Sequence, residues 1–470
     1  MKDFTIDNIN GDSISPILSA VPRTVAVIGS GISGLGAAWL LSRSCQVTLF
    51  EDNDYCGGHS NTVVAETAQG PVPVDTGFIV FNAPNYPNLT ALFAHLDVET
   101  RETTMSFSAS LKGGRFEYSG SGLGGLLAQP GNAIKPRFWS MVRDILRFYQ
   151  EAPSILLDDA AGQESLGDYL KRNGYRDNFI QDHLMPMAAA IWSAPTDEMM
   201  AFPAASFVRF FINHGLLQVK DRPLWRTVKG GSRQYVKRLL HDAAVVVRKD
   251  TGIVRVRRMA DGVDLTDKHG AVHRFDQVVM ASHADQSLAM IEDATDEERS
   301  ILGAFGYQKN RAILHSDPSL MPRRKRAWAA WNYCRNGDRP TDPVSVTYWM
   351  NALQHIDPGI PLFVSLNPNR EPARGLVHYE TNYDHPLFDA AAIEAQHDLW
   401  RIQGARRTWF CGAYCGYGFH EDGLQSGLAV AEALGEVRRP WTVGNESGRI
   451  HLGPSGRMVY HDHPLMEAAQ

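Results

Sequence analysis

The sequence predicts an α/β protein with two packed domains, and three observations carry this prediction. The chain has 470 residues, which is more than one hydrophobic core normally organises. Near the N-terminus, a β-branched stretch runs directly into a glycine-rich turn and an apolar helix, and a second apolar strand follows. Near residue 410, another short strand precedes a glycine-rich loop and a helix rich in alanine and leucine. Alternating strands and helices of this kind build a parallel sheet.

Composition and charge exclude several classes of protein. Hydrophobic residues make up 44% of the chain and charged residues 21%, as in ordinary globular proteins. The formal net charge is −6, whereas a nucleic-acid-binding protein normally has a basic excess, so we expect no nucleic-acid partner. The cysteines show no spacing typical of a metal site, so we expect no metal. We find neither a secretion signal nor a long apolar run and therefore expect a cytoplasmic protein.

The first unit has the sequence of a Rossmann-like dinucleotide-binding fold. A strand ending at Ile28 leads into Gly29, Gly31 and Gly34. Gly29 permits the tight turn from strand to helix, Gly31 lets the backbone approach a pyrophosphate, and Gly34 lets the helix lie close to the sheet. The N–H groups at the helix N-terminus, which favour a bound phosphate, belong to Ile32, Ser33 and Gly34.

The second strand leads to Glu51, about twenty residues after the first glycine of the turn. A carboxylate at this distance accepts hydrogen bonds from both ribose hydroxyls and repels a 2′-phosphate, so NADP is disfavoured. Asp52, the glycine pair Gly57 and Gly58, and His59 follow. This pattern resembles the glutathione-reductase-type FAD fold, and more narrowly the flavin amine oxidase superfamily, whereas NAD dehydrogenases lack it. The resemblance implies that FAD is the cofactor and that these residues contact it.

Two further segments resemble the family's strands beside the isoalloxazine ring and beside the adenine. The first implies flavin contacts at Gly77, Phe78 and Ile79, and the second implies a backbone contact at Ile253.

The closing segment resembles the family's signature of a strand, a glycine and a helix that begins with small residues. The strand ends at Gly412, and the helix follows a loop. The resemblance implies that His420, Glu421 and Asp422 lie beside the N1–C2=O edge of the flavin. A helix N-terminus at this edge would stabilise the negative charge of the reduced ring.

Two departures from the family pattern are informative. Covalent members attach the flavin through a cysteine upstream of the closing segment, and Gly375–Asp384 contains none, so we expect non-covalent FAD. Members that oxidise amines hold the substrate in an aromatic cage. Phe419 stands at one cage position, but the second cage tyrosine has no counterpart, which weakens an amine-oxidase interpretation.

The motifs predict interleaved domains. An FAD-binding domain would take 20–82, 225–290 and 404–436, and an α+β substrate domain would take 83–224, with a helix at Arg137–Leu157, and 291–403. We interpret 1–19 as an N-terminal extension and 437–470 as a C-terminal tail.

The substrate domain predicts an apolar small-molecule or lipid substrate. Its aromatic residues include Trp192, Phe202, Phe207, Phe210, Phe211, Trp328, Trp331 and Trp349. Segments such as Gly57–Val63 and Gly416–Gly423 also resemble a bacterial branch of flavoproteins associated with cyclopropane-fatty-acid-synthase-like methyltransferases. Some members of that branch are implicated in desaturating methyl-branched acyl chains towards furan fatty acids. The resemblance implies a fatty acyl chain, still esterified in phospholipid or not.

Candidate catalytic residues follow from location. His59, His420 and Glu421 are candidate bases, although each is also a candidate hydrogen-bond partner of FAD or backbone. Lys309 resembles the lysine that holds a water near flavin N5 in some relatives.

Three other functions stay open on these residues. They are a flavin amine oxidase, a carotenoid-type desaturase or fatty-acid double-bond isomerase, and a non-catalytic FAD electron-relay protein. The first would oxidise amines, the second would need a longer apolar tunnel, and the third would hold FAD that no small substrate reduces.

A basic cluster, Arg323–Arg326, precedes Trp328. It predicts either peripheral contact with an anionic membrane or a solvated loop. The sequence indicates neither an oligomeric state nor an electron acceptor.

Overall fold

The computed structural model describes residues 23–157, 164–192, 196–213, 215–218, 222–337, 339, 342 and 344–454. The predicted extension at 1–19, the end of the predicted C-terminal tail and the side chain of Trp192 lie outside the described residues. No helix in the described part of the chain is long and apolar enough to cross a membrane.

The secondary structure comprises strands and helices that alternate along much of the chain. The strands are β1 (Thr24–Ile28), β2 (Gln46–Phe50), β3 (Thr62–Thr67), β4 (Gly70–Asp75), β5 (Phe81–Asn82), β6 (Thr100–Thr103), β7 (Phe107–Leu111), β8 (Phe116–Ser119), β9 (Trp225–Val228), β10 (Val245–Arg248), β11 (Ile253–Met259), β12 (Gly262–Asp267), β13 (Val272–Phe275), β14 (Gln277–Met280), β15 (Tyr307–His315), β16 (Trp331–Arg335), β17 (Val344–Trp349), β18 (Phe363–Leu366), β19 (Val377–Pro386) and β20 (Thr408–Phe410). The helices are α1 (Ile32–Leu41), α2 (Pro87–His95), α3 (Gly122–Leu126), α4 (Pro136–Glu151), α5 (Leu166–Arg172), α6 (Asp177–Phe179), α7 (Met185–Trp192), α8 (Thr196–Ala201), α9 (Ala204–Asn213), α10 (Arg233–Asp242), α11 (Ala284–Met290), α12 (Asp296–Leu302), α13 (Met350–Gln354), α14 (Ala390–Asp398) and α15 (His420–Gly435).

A five-stranded parallel sheet in the order β10-β2-β1-β14-β20 forms the centre of the first core. Strands β1 and β14 are rich in valine and almost entirely buried, as the central strands of a parallel sheet are. The sheet takes its strands from three separate stretches of chain, 24–50, 245–280 and 408–410. This unit has the predicted Rossmann-like α/β arrangement, while the boundaries of the two domains stay predictions.

The intervening chain builds the α+β part. A seven-stranded sheet in the order β19-β15-β18-β17-β16-β7-β8 is antiparallel except between β16 and β7. Helices from α4 to α9 contribute to a separate apolar core, whose aromatic members include Phe138, Phe148, Phe207 and Phe211. The predicted helix from Arg137 to Leu157 is α4 followed by a 3₁₀ turn.

Helices α1 and α15 pack against each other at very short range. A Cβ atom placed on Gly427 would lie 2.1 Å from the carbonyl oxygen of Ser33, and one placed on Gly423 would lie 2.7 Å from Ser33 Oγ. A Cβ on Gly36 would lie 2.8 Å from the side chain of Leu424. Only glycine at these positions permits this approach, so the fold joins two stretches that lie far apart in the sequence.

We expect Gly427→Ala to destabilise the protein by about 1–3 kcal/mol, because its methyl group would push α15 away from the α1 backbone. The measurement is the free energy of unfolding from chemical denaturation. Gly124→Ala in α3 is the control, because a Cβ there would meet no atom within 4 Å. Equal stability of the two variants would contradict the close packing.

Candidate functional site

The turn from β1 into α1 has the geometry of a phosphate-binding turn. Gly29 has φ +100°, and a Cβ on it would lie 2.8 Å from Ala281 O. A Cβ on Gly34 would lie 1.9 Å from Gly29 O, so that glycine is required by close packing. Gly31 precedes the helix without a side-chain cap, and a Cβ on Gly31 would meet no protein atom within 4 Å. The first N–H groups of α1 at Ile32 and Ser33 are therefore available to an anion.

The second glycine turn packs directly on the first. Gly57 has φ +131° and Gly58 has φ +55°. The Gly57 N–H donates to the Ser30 carbonyl at 3.0 Å, and a Cβ on Gly58 would lie 3.1 Å from Gly31 Cα. The structure thus brings the two predicted glycine turns together.

Glu51 lies at the end of β2 beside these turns and is buried. Its Oε2 accepts hydrogen bonds from Ser30 N at 3.0 Å and Ser30 Oγ at 2.5 Å, and its Oε1 accepts from Asn53 N at 2.9 Å and Asn53 Nδ2 at 2.7 Å. These donors orient the carboxylate, and a ribose hydroxyl would exchange with one of them. The ribose contact stays a prediction.

The predicted adenine-side residues lie next to Glu51. Thr251 N–H donates to the Glu51 carbonyl at 2.9 Å, which places the start of β11, at Ile253, beside the end of β2. Ile253 is buried. Asp52 is exposed and pairs with Lys268 at 3.0 Å.

The predicted isoalloxazine-side segment is attached to His59. Phe78 N–H donates to the His59 carbonyl at 2.7 Å, and a Cβ on Gly77 would lie 2.3 Å from the same oxygen. The Phe78 ring stacks on the His420 ring at 3.8 Å with an angle of 10°. Residues from three distant stretches therefore meet here. Ile79 packs in a different apolar cluster.

His420 is the first residue of α15 and is held as a neutral ring. Its Nε2 lies 2.9 Å from Ser60 Oγ and 3.1 Å from Tyr235 OH, and these two hydroxyls also contact each other. Burial lowers the pKa of His420 to about 3. At neutral pH the imidazole is therefore uncharged and engaged with hydroxyl groups.

Glu421 points to a different part of the protein. Its carboxylate is fully buried and accepts hydrogen bonds from Asn88 N at 3.0 Å, Asn88 Nδ2 at 2.8 Å, Leu89 N at 3.0 Å and Gln425 Nε2 at 3.0 Å. It thereby caps the N-terminus of α2. Burial raises its pKa. This engagement does not favour the predicted base role, which no observation tests.

Asp422 and Gly412 shape the entry into α15. The Asp422 carboxylate accepts from Phe419 N at 2.8 Å and lies 3.4 Å from Arg449. Gly412 N–H donates to Ser426 Oγ at 3.0 Å, which ties β20 to α15. Both residues support the helix that begins at His420.

The structure does not bring Lys309 to this group. Its side chain is exposed and lies opposite Asp384 in the pairing of β15 with β19. Because side chains alternate along a strand, Lys309 lies on the opposite face from Asn310, whose partner Tyr383 contacts His59. Its catalytic role stays a prediction.

The sequence did not lead us to predict that one face of β19 contributes residues to this site. Tyr383 lies 4.7 Å and His385 lies 5.4 Å from the His59 ring, measured between ring centroids. Tyr383 OH lies 2.7 Å from Thr76 Oγ1. The alternation of Tyr379, Tyr383 and His385 along β19 was the available signal, because such residues share a face of a strand.

His59 itself is unusual among the residues of the site. Its Nε2 atom is buried and has no hydrogen-bond partner in the protein. Burial lowers its pKa well below the ordinary value, and His385 and His283 lower it further. The ring is therefore neutral and keeps one buried nitrogen free for a partner that is not a protein group.

These features fit a dinucleotide. The uncapped N-terminus of α1 and the two glycine turns in contact offer N–H groups and space to a pyrophosphate, and the buried Nε2 of His59 has no partner in the protein. Among the described residues, no group of three His, Cys, Asp or Glu side chains is arranged to hold a metal ion.

Comparison with known proteins agrees with this geometry. Residues 32–313 match the model of a family described as flavin containing amine oxidoreductase. A search of the curated proteins finds no matching relative.

Solved structures with similar folds include three enzymes of low sequence identity. A CLA-producing fatty acid isomerase from P. acnes has 15% identity and a TM-score of 0.61, with 90% of this chain and 99% of that chain covered. Putrescine oxidase bound to putrescine has 14% identity and a TM-score of 0.61, with 88% and 98% covered. Cyclohexylamine oxidase from Brevibacterium oxydans has 15% identity and a TM-score of 0.61, with 88% and 99% covered. These similarities establish the fold, and the family match establishes FAD as the cofactor. That FAD is held without a covalent bond stays a prediction.

We expect Gly31→Val to lower FAD affinity at least tenfold, a change of about 1.4 kcal/mol, without unfolding the apoprotein. Gly31 has φ −65°, which valine adopts readily, and its Cβ meets no protein atom, so the new side chain would intrude only on the phosphate path. The measurement is FAD titration by flavin fluorescence, with circular dichroism of the apoprotein as the control for folding. Wild-type affinity in this variant would contradict the assignment.

We expect the free energy of unfolding to fall as the pH decreases from about 6.5 towards 3. In this range His420 is protonated in the unfolded chain but stays neutral in the folded chain, because its pKa is lower there. Each such group contributes about 1.4 kcal/mol per pH unit in this window. His420→Gln should therefore show a shallower pH dependence of the free energy of unfolding. His241→Gln, at an exposed position, is the control and should keep the wild-type slope. Identical slopes for all three proteins would contradict the burial of His420.

Proposed function

Since the chain belongs to the family of flavin containing amine oxidoreductases and is an FAD-dependent oxidoreductase, we propose that it desaturates a lipid acyl chain. The substrate would be a methyl-branched unsaturated fatty acyl group, free or in phospholipid. The reaction would remove a hydride and a proton from adjacent positions and leave a new double bond.

The observation that carries this proposal is the cluster of aromatic residues packed next to the start of α15. The Phe419 ring stacks on Phe210 at 5.1 Å, and Tyr417 also packs on this core. Phe207 and Phe211 stack at 4.3 Å behind them. The apolar core of the predicted substrate domain thus extends to the residue before His420. An acyl chain that lay against these rings would make the apolar contacts that such a ligand favours.

The charged groups at the start of α15 favour a substrate whose reacting group is uncharged. The two carboxylates at the start of α15 are already engaged, Glu421 by the N-terminus of α2 and Asp422 by Phe419 N and Arg449. His420 is neutral. A protonated amine would therefore find no free carboxylate at this helix N-terminus among the described residues.

The residues present suggest which groups would bind the cofactor and which would position the substrate. Bound FAD supplies the two-electron acceptor for the substrate hydride. The N-terminus of α1 and the glycine turns would hold its phosphates, and the N-terminus of α15 would face the flavin ring. Phe210 and Phe419 would exclude water and align the allylic carbon, because alignment supplies much of the rate when the C–H bond is weakly acidic.

Among the candidate bases, His59 is best supported. Its Nε2 is buried without a protein partner, whereas Nε2 of His420 is engaged by two hydroxyls and Glu421 is fully bonded. A neutral imidazole can accept a proton at this nitrogen, and burial, which lowers the pKa of His59, keeps the ring in the neutral form at neutral pH.

Amine oxidation is the second candidate function. The family description and two of the structural neighbours name amine substrates, and the stacked Phe210 and Phe419 also offer faces to a cation. Double-bond isomerisation of an acyl chain without net oxidation is a separate alternative, because one structural neighbour is named a fatty acid isomerase.

The test is anaerobic mixing of the purified holoprotein with methyl-branched unsaturated phospholipid, with the same free fatty acid, or with amines. We expect the lipids, but not the amines, to cause loss of the oxidised-flavin absorbance. Mass spectrometry should show a lipid product that is lighter by two hydrogens than the substrate. His59→Gln should lower the rate of flavin reduction, measured per mole of bound FAD, by about 10²–10⁴. Reduction by amines alone, a shifted double bond without flavin reduction, or no reduction by any substrate would each overturn the proposal.

A further inference from the structure

One surface of the substrate domain exposes several large apolar side chains. Leu123 in α3 is 78% exposed and Ile134, in the 3₁₀ turn before α4, is 86% exposed. In α4, Trp139 is 50% and Leu146 is 47% exposed. Side chains of this size are usually buried, and a group of them on one surface marks an interaction site. We call this surface the α3–α4 face.

Local packing makes these residues one surface. Trp139 Nε1 donates to Ala133 O at 2.8 Å, which attaches α4 to the turn that carries Ile134. That turn is fixed to β8 because Asn132 Nδ2 donates to Glu117 O at 3.0 Å. Helix α3 packs against both β8 and the 3₁₀ turn Lys325–Ala327. Trp139 and Leu146 lie seven residues apart, on one side of α4.

The basic cluster lies at the edge of the same surface, and the structure divides it into two roles. Arg324 is half-buried and paired, because its Nη1 lies 2.8 Å from the fully buried Glu117 carboxylate and 2.9 Å from Gly114 O. Glu117 also accepts the N–H groups of Arg323 at 2.8 Å and Arg324 at 3.2 Å. One buried carboxylate therefore sets the conformation of the whole loop.

The other three cations point outward. Arg323, Lys325 and Arg326 are exposed, and no acidic side chain among the described residues lies within 4 Å of their charged groups. The chain as a whole has a formal net charge of −6, so this positive patch has the opposite sign to the protein as a whole. An anionic surface would be repelled by most of the protein and attracted here.

We propose that the α3–α4 face, together with Arg323, Lys325 and Arg326, docks on an anionic lipid bilayer. Leu123 projects from the short helix α3, Ile134 from a 3₁₀ turn and Trp139 from the first turn of α4, and exposed apolar side chains of this kind can insert among lipid headgroups and acyl chains. The cations would lie at the lipid phosphates, each strengthening binding by about fivefold. This inference does not rest on the proposed function, since docking needs no particular substrate.

The test is sedimentation of the full-length holoprotein with vesicles of phosphatidylcholine, with or without phosphatidylglycerol. We expect binding to the anionic vesicles that weakens as salt is raised, and little binding to phosphatidylcholine alone. The variant R323Q/K325Q/R326Q should bind on the order of a hundredfold more weakly, and L123S/I134S should also bind more weakly. V272S, at an exposed apolar residue of β13 outside the α3–α4 face, is the control and should bind like wild type.

A second measurement reports insertion directly. Brominated lipids should quench part of the tryptophan emission of the wild type, and Trp139→Phe should lose that part. Equal binding to both kinds of vesicle, unchanged binding of the variants, or retention on heparin without any binding to anionic vesicles would overturn the proposal. None of these outcomes depends on whether the holoprotein desaturates a lipid.

Discussion

The close contact of α1 with α15 across Ser33 is the constraint on which the site depends. Helices normally pack with their axes 8–10 Å apart, and only glycine on the contacting face allows a carbonyl to meet another helix so closely. Gly427 and Gly423 provide this on α15. The contact fixes the start of α15 relative to the turn at Gly31, the two places proposed to hold the flavin ring and the phosphates of FAD.

Around this frame, the protein keeps the charge of the ring end low. His59 and His420 are half-buried and neutral, because desolvation lowers the pKa of each. The acidic residues that follow His420 in the chain are bonded to groups that lie elsewhere. A neutral, largely apolar environment strengthens the interaction of any reduced flavin with the positive end of α15, because the effective dielectric constant is low.

The predicted substrate domain has two distinct apolar regions. One is internal, where Phe210 meets Phe419 beside the cofactor end. The other is external, where Leu123 and Trp139 are exposed on the face that also carries the exposed Arg323, Lys325 and Arg326. A protein that acts on a lipid would use both surfaces, one to take hold of the bilayer and one to receive the chain. An oxidase of small amines would have no need of the second.

The sequence by itself determined the parallel sheet, the glycine turns, the acid at Glu51 and the helix at α15, because each depends on local backbone geometry and spacing along the chain. It also named Phe78 and His420, but not that their rings stack. Only the tertiary structure decided that Glu421 caps α2, that Lys309 lies on the far face of β15, and that Tyr383 and His385 join His59. These outcomes depend on which elements meet in space. The alternation along β19 predicts that Tyr383 and His385 share a face, but no local pattern predicts that this face meets His59.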